Sequence, residues 1–149
     1  MSRFTERGEP ASADGAFPVE RTGNDFMATP NFILLYVDNP TASAAFYANL
    51  LGQPPVEASP TFAMFALPSG YMLGLWARHT VEPAASGTVG GSELAFTVPD
   101  ADAVRAWHAD WKGRGLPIAQ APTEMDFGHT FVALDPDGHR LRVFAPGAP

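Results

Sequence analysis

The chain repeats itself. Residues 65–77, "FALPSGYMLGLWA", align without a gap on residues 133–145, "ALDPDGHRLRVFA". Pro68 falls on Pro136, Gly70 on Gly138, Leu73 on Leu141 and Trp76 on Phe144, each pair 68 positions apart. A duplication at fixed offset means that one supersecondary unit is made twice, and two copies are too few for a solenoid. In the second copy Asp135-Pro136-Asp137-Gly138 reads as a tight turn. Proline presets φ, aspartate bonds its own backbone, and glycine supplies positive φ. The apolar flanks, residues 131–134 and 141–144, read as the arms of a β-hairpin.

The upstream segments match as well. "FILLYVDNPTASAAFYANLLG" (32–52) and "ELAFTVPDADAVRAWHADWKGRG" (93–115) each read strand, polar break, helix, glycine. In the first, Asn39 caps a helix with Pro40 at its first position, Phe46 and Leu50 lie four apart, and Gly52 closes it. In the second, Asp100 or Asp102 caps, Val104, Trp107 and Trp111 share a face, and Gly113 or Gly115 ends the helix. One further strand fits near residues 55–58 and again near 117–121. The fold class is therefore α+β: two β-α-β-β-β modules in tandem, each a mixed four-stranded sheet with a helix on one face. Module one is expected over residues 28–78 and module two over 93–146, the two together forming one domain. The Gly-, Ser- and Pro-rich residues 79–92 link them.

Residues 1–27 differ from the rest. They mix charge with Gly, Pro, Ser and Ala, lack periodicity, and lack the apolar stretch of a signal peptide. A disordered extension is expected; an arm packing on a partner subunit through Phe17 or Phe26 is the alternative, and Met27 is a second candidate start. The net charge of −7 argues against a nucleic-acid partner. No apolar run approaches the length of a membrane helix. The chain has no cysteine, which excludes disulfides, thiolate nucleophiles and cysteine–metal sites and is compatible with a reducing cytoplasm.

The doubled unit, with "YVDNPTASAAFYANLLG" and "ALDPDGHRLRVFAP", resembles the vicinal oxygen chelate superfamily, which contains glyoxalase I, extradiol dioxygenases and bleomycin-resistance-type proteins. The resemblance covers about residues 30–146. It implies a cup on the helix-free side of each sheet. In metal-using members it implies ligands on the first and last strand of each module. Those positions fall here on Phe32, Gly74, Glu93 and Arg142. Only Glu93 suits a cation and Arg142 repels one, so neither a metal nor another cofactor is expected.

Strand alternation supports the same register from the residues themselves. Leu94, Phe96 and Val98 form one apolar face, opposite Glu93, Ala95 and Thr97; Leu141 and Val143 oppose Arg140, Arg142 and Phe144. On the first module the cup residues are Phe32, Leu34 and Tyr36 with Met72, Gly74 and Trp76. His79, His108 and His139 make no ligand pair at strand or helix spacing, while His129, with Phe127, is placed at the cup mouth. Asp135 and Asp137 read as turn formers, and no nucleophile elbow or phosphate loop occurs.

The expected ligand contacts are Phe32, Tyr36, Met72, Trp76, Glu93, Phe127, His129, Arg142 and Phe144, with no catalytic residue. Aromatic walls favour flat ligands. Metal-free relatives of the bleomycin-resistance type imply a homodimer that sequesters an antibiotic unchanged, each cup shared between module one of one chain and module two of the other. The alternative is a metal-dependent lyase, isomerase or dioxygenase with shifted ligands. A third is a structural or regulatory dimer with a collapsed cup. If Glu93 and Arg142 are neighbours on the cup face, an ion pair is expected to occupy the place of the cation.

Overall fold

The computed structural model describes residues 28–147. The expected N-terminal extension, residues 1–27, lies outside the described residues, as do the readings of Phe17, Phe26 and Met27. The first module runs β1 (Phe32–Val37), α1 (Pro40–Leu51), β2 (Glu57–Ala58), β3 (Phe62–Ala66) and β4 (Met72–Ala77). The second runs β5 (Glu93–Thr97), α2 (Ala101–Gly113), β6 (Ile118–Met125), β7 (Gly128–Leu134) and β8 (Arg140–Pro146). They form two four-stranded sheets of order β1-β4-β3-β2 and β5-β8-β7-β6. In each the first strand lies parallel to the last, and the other pairings are antiparallel. The α+β class and the doubled unit are as the sequence implies.

Local chemistry sets the boundaries. The Asn39 side chain accepts from Ala42 N at 3.1 Å, Pro40 opens α1, and Gly52 at φ 73° ends it. Asp100 is the cap of α2, accepting from Ala103 N at 2.8 Å, whereas Asp102 pairs with Arg105. Gly115, at φ 92°, follows α2 in the left-handed region. The intermediate strands differ from expectation. β2 is only two residues long, and β6 runs on to Met125 with two shifts of register, the second between Gln120 and Thr123. Pro54 and Pro55 offer no ladder N–H before β2, and Pro122 sits inside the second shift.

The helix-side faces of both modules meet in one core, with Leu35, Tyr47, Phe65, Phe131, Leu141 and Val143 among its members. The buried residues of α1 are Pro40, Ser43, Ala44 and Tyr47, while Phe46 and Leu50 pack half-buried at its margin. On α2, Val104 and Trp111 are buried, but Trp107 keeps 37% exposure and meets Phe96 and Trp111 with its ring. The hairpin turn adds polar contacts between the modules. Asp135 accepts from Tyr47 Oη at 2.7 Å, and Asp137 accepts from Asp38 N at 2.9 Å and from Ser43 Oγ at 3.3 Å. Among the described residues no helix is long and apolar enough to cross a membrane.

Candidate functional site

The register assigns the faces. Opposite Leu34, Gly74 and Met64 lie across β1, β4 and β3, and Trp76 is flanked by Tyr36 and Phe62. Phe32, Tyr36, Met72 and Trp76 therefore share the face turned away from α1. Tyr36 and Trp76 meet edge to face with centroids 6.1 Å apart. Gly74 is what lets this face close on itself. A Cβ there would stand 2.8 Å from Leu34 Cδ2, 2.9 Å from Phe32 Cε1 and 3.1 Å from Phe62 Cζ. The first-module positions that the resemblance assigns to metal ligands, Phe32 and Gly74, are thus filled with hydrocarbon.

The equivalent face of the second sheet holds an ion pair. Arg142 Nε donates to Glu93 Oε1 at 2.7 Å and Nη2 to Oε2 at 2.9 Å, a bidentate fork. Its Nη1 donates to Thr130 Oγ1 at 3.2 Å and to Gln120 Oε1 at 3.4 Å. Thr130 is fully buried and its hydroxyl donates to Val143 O at 2.9 Å. Phe127 covers the guanidinium, with its centroid 5.9 Å from Cζ, and meets Phe144 edge to face at 6.0 Å. The Arg142 hydrogen bonds hold the Glu93 carboxyl below its ordinary range, burial opposing and the charges of Arg142 and Arg140 adding to the effect. Arg142 is held above its own ordinary value, chiefly by its hydrogen bond with Glu93. A cation needs several convergent oxygen or nitrogen donors. One carboxylate already bridged by a guanidinium, facing phenylalanine and glycine at the sister position, does not fit one.

One placement needs correction. His129 lies across from Ala145 and Glu124, on the side of the sheet that carries Phe131 and α2. Strand alternation separates it from Thr130 and Arg142. Its Nδ1 lies 2.9 Å from Glu124 Oε1, so it does not join Phe127 at the rim of the cup face. Phe127 itself is 44% exposed, and Leu34 and Tyr36 are 39% and 36% exposed, so the expected wall is open in the single chain. A hollow of about 530 Å³ lies on the other side, between α1 and the start of β6, lined by Phe46, Leu50, Leu116 and Leu134 among others. A smaller cleft of about 190 Å³ lies at the seam of β1 and β5, lined in part by Leu34, Ser92, Glu93 and Arg140.

Sequence reasoning missed a second polar group. Asp135, Asp137 and His139 bring their ligating atoms within 4.8 Å of one another. The Asp135 carboxylate is already occupied: Tyr47 Oη and His139 Nδ1 donate to Oδ2 at 2.7 and 2.8 Å, and the N–H groups of Asp137 and His139 donate to Oδ1 at 2.9 and 2.8 Å. Burial drives its pKa up, but the hydrogen bonds from His139 and Tyr47 and the His139 backbone outweigh it and leave it lowered. Burial, then the Asp135 charge, pushes the Tyr47 phenol far up. The group ties turn to helix. A tyrosine on the apolar face of α1 was the available signal, since a buried phenol needs a partner.

Two mixed four-stranded sheets, each formed by a β-α-β-β-β unit, define a vicinal-oxygen-chelate fold. Residues 29–143 match the model of the glyoxalase/bleomycin resistance protein/dioxygenase superfamily, and the chain belongs to it. It is 30% identical over 118 residues to the phenazine antibiotic resistance protein EhpR of Enterobacter agglomerans, spanning 77% of this chain and 90% of EhpR. Protein ATC0852 of Agrobacterium tumefaciens, solved by NMR, is 56% identical over 82% of this chain and all of its own, with a TM-score of 0.76. A glyoxalase/bleomycin resistance protein/dioxygenase from Nocardioides shares the fold at 22% identity, with a TM-score of 0.70 over 95% of this chain and 97% of its own.

Proposed function

We propose that this protein binds a small planar aromatic molecule, an antibiotic of the phenazine type, and sequesters it without chemical change. The observation that carries the reading is the Glu93–Arg142 fork. It occupies, with its own positive centre, the place where the family resemblance puts a cation. Beside it stand Phe127 and Phe144, and on the sister sheet Phe32, Tyr36, Met72 and Trp76. These surfaces suit stacking and apolar burial of a flat ring system. The similarity to a phenazine antibiotic resistance protein supports the ligand class.

The open cup faces support a homodimer in which module one of one chain closes on module two of the other, since apolar surface of this kind is ordinarily covered. On this reading such a protein is cytoplasmic, with which a chain free of cysteine is compatible. The test is a titration of tryptophan fluorescence against phenazines and other planar antibiotics, with light scattering at micromolar concentration. Saturable quenching by a dimer, and recovery of the ligand at unchanged mass after prolonged incubation, are expected. Conversion of the ligand, or a tightly bound stoichiometric divalent ion in active protein, would refute the reading.

A further inference from the structure

We propose that the ligand carries an anionic group, and that Arg140, in the cleft between β1 and β5, receives it. This rests on the binding function proposed above and narrows the class of ligand.

Glu93 and Arg140 line that cleft, and Arg142 stands beside it, bonded to Glu93. Both Glu93 oxygens are committed to Arg142, at 2.7 and 2.9 Å. Arg140 Nη1 makes only a loose ion pair with Glu93 Oε2 at 3.7 Å, longer than a hydrogen bond, and its side chain is 51% exposed. Arg142, by contrast, has its fork filled by Glu93, Thr130 and Gln120 and its side chain is 18% exposed. Among the described residues the group therefore carries one uncompensated positive charge, and Arg140 is where it is accessible. This stands out in a chain of net charge −7.

The cleft's shape suits the same role. Its volume, about 190 Å³, is below the several hundred Å³ of a site that encloses a whole ligand. It has room for a substituent. Leu34 lines it and also belongs to the face of Tyr36 and Trp76, so the cleft opens where the aromatic face ends. Ser92 adds a hydroxyl, and Leu94 and Ile33 add apolar walls. His139, the other titratable group on the cleft, has its Nδ1 committed to Asp135 at 2.8 Å. A flat ring system on the aromatic face would place a carboxylate or similar oxyanion against the guanidinium, whose planar fork matches it.

The test compares phenazine-1-carboxylate with phenazine-1-carboxamide, which have nearly the same shape and differ in charge. Affinities come from tryptophan quenching of the full-length protein at low salt. The acid is expected to bind about three- to tenfold tighter, the effect of a partly exposed charge contact. Arg140→Gln should abolish the preference, the acid's affinity falling to about that of the amide. Arg140→Lys should keep it, as should Arg105→Gln on α2, which removes an equal charge elsewhere. Equal affinity for the two probes in the wild-type protein overturns the inference, as does a preference that survives Arg140→Gln; the binding function stands in either case. Failure of the wild-type protein to bind either probe overturns the binding function and the inference with it.

Discussion

Replacing Arg142 by leucine removes a bidentate partner from Glu93, two further hydrogen bonds to Thr130 and Gln120, and the cation over Phe127. The cost lies between two limits. Breaking a fully buried pair costs about 3–5 kcal/mol, because the remaining charge is stranded, and an exposed pair is worth about 0–1 kcal/mol. Here the side chains are 18% and 28% exposed, and Glu93 keeps Arg140 at 3.7 Å. Water and a second cation soften the loss, so about 2 kcal/mol is expected for Arg142→Leu. Glu93→Gln keeps the shape and one acceptor, and should cost about 1 kcal/mol. With both changes no charge is stranded, so the double variant should cost about 2 kcal/mol, a coupling near 1 kcal/mol. For a chain of this size Arg142→Leu lowers Tm by about 4–8 °C. Urea denaturation followed by circular dichroism measures all three variants. Strict additivity to within about 0.3–0.5 kcal/mol would refute the reasoning, because it would mean that the two side chains do not sense each other.

Three other perturbations have defined outcomes. Trp76→Ala should weaken an aromatic ligand by about 1–3 kcal/mol with the fold intact, the range of a strong anchor, and fluorescence from Trp107 and Trp111 still reports the titration; unchanged affinity returns Trp76 to a packing role. Tyr47→Phe removes one of four donors to a buried carboxylate and should cost about 2 kcal/mol, visible as a Tm lower by about 4–8 °C. In acid, Asp135 and Glu93 both have lowered folded-state pKa values. Their contribution is complete above the unfolded carboxylate value near 4 and is lost as pH falls through the folded values. Stability measured against pH should therefore hold near neutrality and fall below about pH 4, and Glu93→Gln should make that acid slope shallower.

Local chemistry carried most of the fold. The turn at Asp135–Gly138 closes as its residues demand, with Gly138 N donating to Asp135 O at 3.0 Å and φ 92° at Gly138. Two-residue alternation put Glu93 and Arg142 on one face, and the parallel pairing of β5 with β8 brought them into contact. The failures have physical causes. Nearness to Phe127 suggests the cup side for His129, but successive strand positions beyond a turn point to opposite faces, and Thr130 shares the face of Arg142. The lengths of β2 and β6 depended on where prolines and register shifts interrupt a ladder, which periodicity does not report. The Tyr47–Asp135 bond spans 88 positions, so only the need of a buried phenol for a partner was legible.

The duplication itself explains why the two halves of the cup differ. The strand–helix segments repeat at an offset of 61, from Asn39 to Asp100, and the hairpins at 68, from Gly70 to Gly138. By these offsets Phe32 corresponds to Glu93 and Gly74 to Arg142. Both pairs answer one packing problem: two side chains on neighbouring parallel strands must fill the centre of the helix-free face. Module one fills it with a phenyl ring over a glycine, where even a Cβ would come within 2.9 Å of the ring. Module two fills it with a carboxylate and a guanidinium joined at 2.7 and 2.9 Å. Each solution is self-consistent, and neither mixed pair would be: Phe32 facing an arginine would strand a cation, and Glu93 facing a glycine would strand an anion. Tyr47 and Asp135 diverge in the same paired way, since their counterparts are His108 and Leu67. The hairpin turns keep one backbone pattern, Leu67 N to Tyr71 O at 2.8 Å matching Asp135 N to His139 O at 3.0 Å. In the turns only the side chains changed, and they changed in compatible sets. A repeated scaffold has thereby become two unlike surfaces, one apolar and aromatic, the other charged, as a ligand with a flat body and a polar end would require.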